Sequence, residues 1–309
     1  MTTTFDTLIP ADRLRAALAG GDAVTIIDTR FDLADTATGE ASWHAGHLPG
    51  SIYLHLDRDL AGPRTGPDGV FKGRHPLPAR ADFAATLGRC GITPATQVVA
   101  LDAQGGIYAA RLWWMLRWMG HSAVAVLDGG VSAWTAAGGT LVTDAAQVQP
   151  APPYPERAAL AGTIDAAALV AELGRVRLLD ARAGERFRGE VEPLDTTAGH
   201  IPGALNRFFK DNLDAGGRFK PAAQLRTEFE ALLGARPADR AVHQCGSGVT
   251  ACHNLLAMEH AGLAGSVLYP GSWSEWSADP ARPVARGGCT ACGASSPAAT
   301  KPPAQERSP

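Results

Sequence analysis

A chain that repeats itself once has few folds open to it, and this chain does so. Residues 23–30 return as 176–182, each a short apolar run closed by an aspartate and an arginine. His47-Leu48-Pro49-Gly50 returns as His200-Ile201-Pro202-Gly203, and residues 98–102 return as 241–245. The segment from Leu127 to Trp134 returns as that from Leu268 to Trp276. Four blocks in one order, at a domain-sized interval, indicate two copies of one domain rather than a solenoid. The 309 residues are enough for each copy to have its own core.

Within a copy, apolar strands alternate with helical patterns. Pro10 to Leu18 has helical spacing and stops at Gly20-Gly21. Val24 to Ile27 is a β-branched strand, Ala109 to Met119 a strongly apolar helix, and Ala123 to Leu127 a buried strand. This pattern predicts an α/β fold, each copy a mostly parallel sheet flanked by helices. In such sheets sites form beyond the carboxyl ends of strands. The expected boundaries are 1–148, a proline-rich extended linker at 149–159, a second copy at 160–286 and a disordered tail at 287–309.

The 28 basic and 31 acidic residues leave a formal charge of −3, no electrostatic case for nucleic acid or a membrane surface. No apolar run is long enough to span a bilayer, and Met1 to Pro10 lacks the pattern of a signal peptide. Five scattered cysteines do not suggest a disulfide framework, so a reducing cytoplasmic compartment is expected.

One cysteine stands out. Cys245 follows the strand-like run Arg240 to His243 and precedes a helix-like run from Val249 to Ala261. The first amides of such a helix lack intrahelical acceptors, and the helix dipole adds positive charge beside them. Gly246 and Gly248 let the backbone curl so that amides converge on the sulfur. That setting makes a nucleophilic thiolate and steadies any extra sulfur it carries.

Cys245-Gly246-Ser247-Gly248-Val249-Thr250-Ala251-Cys252 resembles the active-site loop of the tandem-domain rhodanese sulfurtransferases, in their 3-mercaptopyruvate branch. The resemblance extends to Gly271-Ser272-Trp273-Ser274-Glu275-Trp276, to Gly199 through Ala204 and to Arg186-Phe187-Arg188-Gly189. It implies two rhodanese-like domains, the second catalytic through a persulfide on Cys245. In the first copy Asp102 stands where the cysteine would be. A carboxylate cannot accept sulfane sulfur, so that copy is expected to form only one wall of the site. By resemblance Arg186, with Arg188 beside it, binds the anionic end of the donor, and Gly246, Gly248, Val249 and Thr250 form the donor cradle. Asp57 and His75 of the first copy match residues proposed to assist Ser247. The family needs no metal or cofactor. It passes sulfur from a small-molecule donor to a thiol, such as that of thioredoxin, or to cyanide.

The loop at Cys245 has no basic side chain, which favours 3-mercaptopyruvate over the thiosulfate dianion. The branch usually has a second arginine in an E-P-R or E-P-x-P-R context, where this chain reads Glu192-Pro193-Leu194-Asp195. A weaker hold on the donor follows unless Arg188 or another cation substitutes. A thiosulfate:cyanide sulfurtransferase and a persulfide carrier with little turnover remain as alternatives. A cysteine phosphatase is excluded, since its C-x5-R loop needs arginine where this chain has Ala251. His47 and His200 occur in both copies and read as turn residues, while Cys90 and Cys252 read as core. Cys289-Thr290-Ala291-Cys292 has redox spacing without a following helix, and two cysteines alone do not make a zinc site.

Overall fold

Short β-branched and apolar runs are buried on both faces only if helices cover both sides of the sheet, and the chain folds that way twice. The computed structural model describes residues 4–288. Cys289, Cys292 and nearly all of the expected tail lie outside the described residues. The first half contains β1 (Leu8–Ile9), α1 (Ala11–Ala19), β2 (Val24–Asp28), α2 (Thr38–Ala45) and β3 (Ile52–Tyr53). There follow α3 (Leu56–Asp59), α4 (Arg80–Arg89), β4 (Gln97–Leu101), α5 (Ala109–Trp118), β5 (Val124–Leu127) and α6 (Gly130–Ala136). The second half contains α7 (Ala166–Glu172), β6 (Arg177–Asp180), α8 (Gly184–Arg188), β7 (Leu205–Asn206) and α9 (Ala222–Leu233). It closes with β8 (Ala241–Gln244), α10 (Ala251–His260), β9 (Val267–Leu268) and α11 (Ser272–Ala278).

The first sheet has the order β1-β5-β4-β2-β3 and the second β7-β6-β8-β9, with every strand pair parallel. The two orders are the same topology. Where β1 edges the first sheet, a single parallel bridge from Thr163 to Leu268 edges the second. Register pairs Asp28 with Leu101 and Asp180 with Gln244. Asp102 and Cys245 therefore stand at the same place in the two halves, one residue past the central strand.

The core has three parts. One apolar cluster lies within the first half, around Leu14, Val99 and Trp134, and another within the second, around Leu178, Trp273 and Trp276. The largest belongs to both and contains Trp114 and Met115 of α5 together with Leu256 and Met258 of α10. Every residue from Ala109 to Leu116 and from Ala251 to Met258 is buried. A helix that is buried all round must be covered all round. These two helices cover each other and join the halves into one body.

Residues 149–159 contain no helix or strand, yet they are not free. The Ala151 and Tyr154 amides donate to Gly88 and Ala84 carbonyls of α4 at 2.9 Å each. Tyr154 is buried, with its hydroxyl 3.0 Å from Nδ1 of His121. Tyr154 is the anchor of this segment.

Two buried histidines couple this architecture to pH. Nε2 of His253 on α10 donates to the Gly105 carbonyl of the first half at 3.0 Å, and its Nδ1 accepts from Asn212 at 3.1 Å. Burial, opposed by the Gly105 carbonyl, pushes His253 down to about 4, and burial alone pushes His243 on β8 down to about 3. Both rings fold neutral, whereas in the unfolded chain they titrate near 6.5. Between those values the unfolded state binds more protons, so stability present above about pH 6.5 is lost as pH falls towards about 4. Urea denaturation at a series of pH values should show this fall, and His253→Gln should reduce proton uptake on unfolding near pH 5 by about one. An unchanged pH slope in the variant would contradict the assignment.

Candidate active site

β8 delivers Cys245 to the carboxyl edge of the second sheet, and α10 begins six residues later at Ala251. Its side chain is buried, and the Gly248 amide donates to Sγ at 3.2 Å. Gly248 has a φ of 78°, in the left-handed region that favours glycine, and a β-carbon there would collide with the Pro270 carbonyl. The cysteine's own amide donates to Ser272 Oγ at 3.1 Å, and that hydroxyl donates to the Tyr269 carbonyl at 3.0 Å. Ser272 holds this place with a φ of 52°, strained for a residue with a side chain. Trp273 and Ser274 amides donate to the Cys245 and Gly246 carbonyls at 2.9 Å each. The loop is thus pinned from the start of α11.

The first half shows what this loop shape is suited to hold. The Asp102 carboxylate accepts from the amides of Gln104, Gly106 and Tyr108 at 2.9 Å and of Ala109 at 3.1 Å. A ring of amides at a strand–helix junction takes an anion. In this half the anion is the chain's own.

Ser247 faces the first half. Its Oγ lies 2.8 Å from Nδ1 of His75, and His75 Nε2 lies 3.2 Å from Asp57 Oδ1. Burial, with the charges of Arg111, Arg74 and Arg64, pushes His75 down to about 3, so the ring is neutral. A carboxylate only accepts, which assigns the single ring proton to Nε2 and leaves Nδ1 to accept from Ser247. Asp57 is set at the start of α3 by its amide, which donates to His55 Nδ1 at 3.1 Å. The structure thus brings Ser247, His75 and Asp57 together, from sequence positions far apart.

Behind the loop lies Arg111 of α5, fully buried. Its guanidinium donates to the Gly248 carbonyl at 3.0 Å and to the Leu60 and His75 carbonyls at 3.2 Å each. It therefore ties the cysteine loop of one half to the histidine loop of the other. No carboxylate pairs with it among the described residues. Sequence reasoning passed over Arg111 inside an apolar helix, although a charge in such a run is itself the signal.

Cys245, Gly246, Ser247, Val249 and Thr250 open on a cleft of about 350 Å³. Arg74, Arg186, Leu194 and Tyr108 also line it. Arg186 donates to Glu192 at 2.6 Å, and Glu192 accepts from the amides of Leu194 and Asp195, which organises that turn. Arg182 also lines the cleft but is bound to Asp180 and the Gly199 carbonyl at 2.7 Å each. Arg30 repeats that pairing with Asp28 and the Gly46 carbonyl in the half without a cysteine, which marks it as structural. Arg188 corrects an expectation. It pairs with Glu190 at 2.7 Å on the exposed surface and is not part of the cleft. Arg74 lines the cleft, and sequence reasoning missed it although it directly precedes His75.

A larger cleft, about 490 Å³, lies between Asp128 and Arg218 where the halves meet, but no cysteine or histidine lines it. Among the described residues no three His, Cys, Asp or Glu side chains are grouped to hold a metal, and no helix is long and apolar enough to cross a membrane.

A model of the "Rhodanese-like domain" family matches residues 10–137 and again 165–279. A Pseudomonas aeruginosa protein named "Probable 3-mercaptopyruvate sulfurtransferase" is 48% identical, covering 91% of this chain and 98% of its own length. The thiosulfate sulfurtransferase of Bos taurus is 31% identical over 86% of this chain and 89% of its own. Among solved structures, the 3-mercaptopyruvate sulfurtransferase of Leishmania major superposes with a TM-score of 0.76 at 29% identity. That match covers 88% of this chain and 74% of the other.

The remaining described cysteines are inert by burial, which pushes Cys252 up to about 12 and Cys90 up to about 11. At pH 8 less than about one in a thousand of either is a thiolate. Limiting iodoacetamide should therefore label the Cys245 peptide ahead of the Cys90 and Cys252 peptides, read by mass spectrometry. Equal labelling of all three would remove the case for Cys245.

Proposed function

Since the chain belongs to the rhodanese-like family of sulfurtransferases, we propose that it moves sulfur from 3-mercaptopyruvate to a thiol or cyanide acceptor through a persulfide on Cys245. The observation that carries the donor is the Asp57–His75–Ser247 chain opposite the nucleophile.

The Cys245 thiolate attacks the donor sulfur. An S–S bond forms, the C–S bond breaks, and its electron pair goes to the methylene carbon as the enolate of pyruvate. The donor thiol loses its proton and the carbon gains one, so a proton has to cross the site. Ser247 takes the thiol proton while handing its own to neutral His75, and the Asp57 carboxylate faces the imidazolium that results. Returning that proton to the carbon releases pyruvate and restores the ring. The acceptor then attacks the outer sulfur of the persulfide, and Cys245 leaves as thiolate, a ping-pong scheme. The cradle amide of Gly248 steadies the sulfur charge in both steps. The first half supplies the relay and one wall. Thioredoxin-like dithiols and small thiols both satisfy the chemistry asked of the acceptor.

Thiosulfate is the second reading, favoured by Arg74 and Arg186, whose charges suit a dianion. Its sulfite leaves with the electron pair and no carbon to protonate, so it makes no use of the relay. That difference is the test. His75→Asn should lower kcat/KM for 3-mercaptopyruvate by about 10²–10⁴ while changing thiosulfate turnover by no more than a few fold. Cys245→Ser should abolish both reactions and the one-sulfur adduct formed with donor alone. Because His75 is neutral, with its charged form confined below about 3, kcat/KM should have no imidazole limb between about pH 5 and 8. Equal loss of both donors in His75→Asn, or wild-type preference for thiosulfate, would overturn the donor assignment.

A further inference from the structure

A donor with a carboxylate beside a carbonyl is fixed in direction best by two cations side by side; of the second half's cations along the cleft, Arg182 is bound to Asp180 and the Gly199 carbonyl, which leaves Arg186 and Lys210. Leu194 stands in the turn where the resembling branch has its second arginine, and it lines the cleft with an apolar side chain. Arg74 enters the same cleft from the first half. Its guanidinium and that of Arg186 converge beside Gly246, the residue after the nucleophile. A β-carbon placed on Gly246 would lie 2.8 Å from Arg74 Nη2 and 3.4 and 3.6 Å from Arg186 Nη1 and Nη2. Asp195 joins the two, bound to Arg74 Nη1 through Oδ1 and 3.6 Å from Arg186 Nη2 through Oδ2. That second oxygen is buried and has no hydrogen bond. Arg74 is also anchored at its backbone, where its amide donates to Ser274 Oγ of α11 at 3.0 Å.

We propose that Arg74 is the second arm of the donor's carboxylate clamp, closing on it from the first half in place of the arginine absent at Leu194. Asp195 is its resting partner. It holds both guanidiniums beside Gly246, and a donor carboxylate would compete with it for their N–H groups. A forked guanidinium suits this task, because two parallel N–H groups meet the two oxygens of a carboxylate. Arg74 and His75 then form one dipeptide that holds the donor at one end and moves its proton at the other. The proposal deepens the 3-mercaptopyruvate reading and rests on it.

The test measures KM and kcat separately for both donors, with inhibition by pyruvate as a binding readout independent of turnover. Arg74→Met should raise KM for 3-mercaptopyruvate and the inhibition constant of pyruvate by about ten- to a hundredfold, the loss expected for one charge-assisted contact. Its kcat should change far less. Arg74→Lys, which keeps the charge but not the fork, should fall between. Adding Leu194→Arg to Arg74→Met should recover most of the affinity, an outcome that a merely structural role for Arg74 would not produce. Unchanged KM in Arg74→Met, or loss in kcat alone with no rescue by Leu194→Arg, would overturn the clamp and leave the donor reading standing. Wild-type preference for thiosulfate would overturn the donor reading, and the clamp with it.

Discussion

A guanidinium buried without a carboxylate is expensive to keep, and Arg111 is placed so that four backbone carbonyls accept from it, those of Gly248, Leu60, His75 and Pro76. Those carbonyls come from the Cys245 loop, from His75 and Pro76 and from Leu60 just after α3, so one side chain ties the cysteine loop to the loops that carry His75 and Asp57. It can do so only because α5 and α10 are buried against each other, which shuts water out from behind the loop. The cysteine half is therefore half of a site. The other half supplies Arg111, Asp57, His75 and Arg74, though its own cradle carries an aspartate.

That aspartate explains how two copies of one fold differ in chemistry without differing in shape. Both strand–helix junctions direct amides inward. In one they close on Asp102, and in the other the Gly248 amide meets a sulfur. The two halves share the amide cradle, and the side chain one residue past the strand decides whether a carboxylate or a sulfur sits in it.

Sequence carried the fold far, because it is written in short-range patterns. The β-branched runs became parallel strands, and the repeated blocks became two sheets of one topology. Cys245 was legible because the strand, the glycines and the following helix are adjacent in the chain. Ser247, Asp57 and His75 were reached by resemblance, and the contacts among them appear only in three dimensions. Arg188 failed for a local reason: Glu190, two residues on, pairs with it on the surface. Arg74 and Arg111 were missed for a non-local one. Each acts on residues more than a hundred positions away, and nothing in the residues around them says where the other half will lie. Residues 149–159 show the same limit, since their prolines argue against helix and central strand but say nothing of the docking of Tyr154 against His121.

The depth of the cysteine has a consequence for delivery. Cys245 is 2% exposed, and the halves that enclose it share a core and are strapped by a docked linker. Whatever meets the sulfur has to enter the cleft to reach it. Depth thus sets a condition of reach on any molecule that is to touch the sulfur.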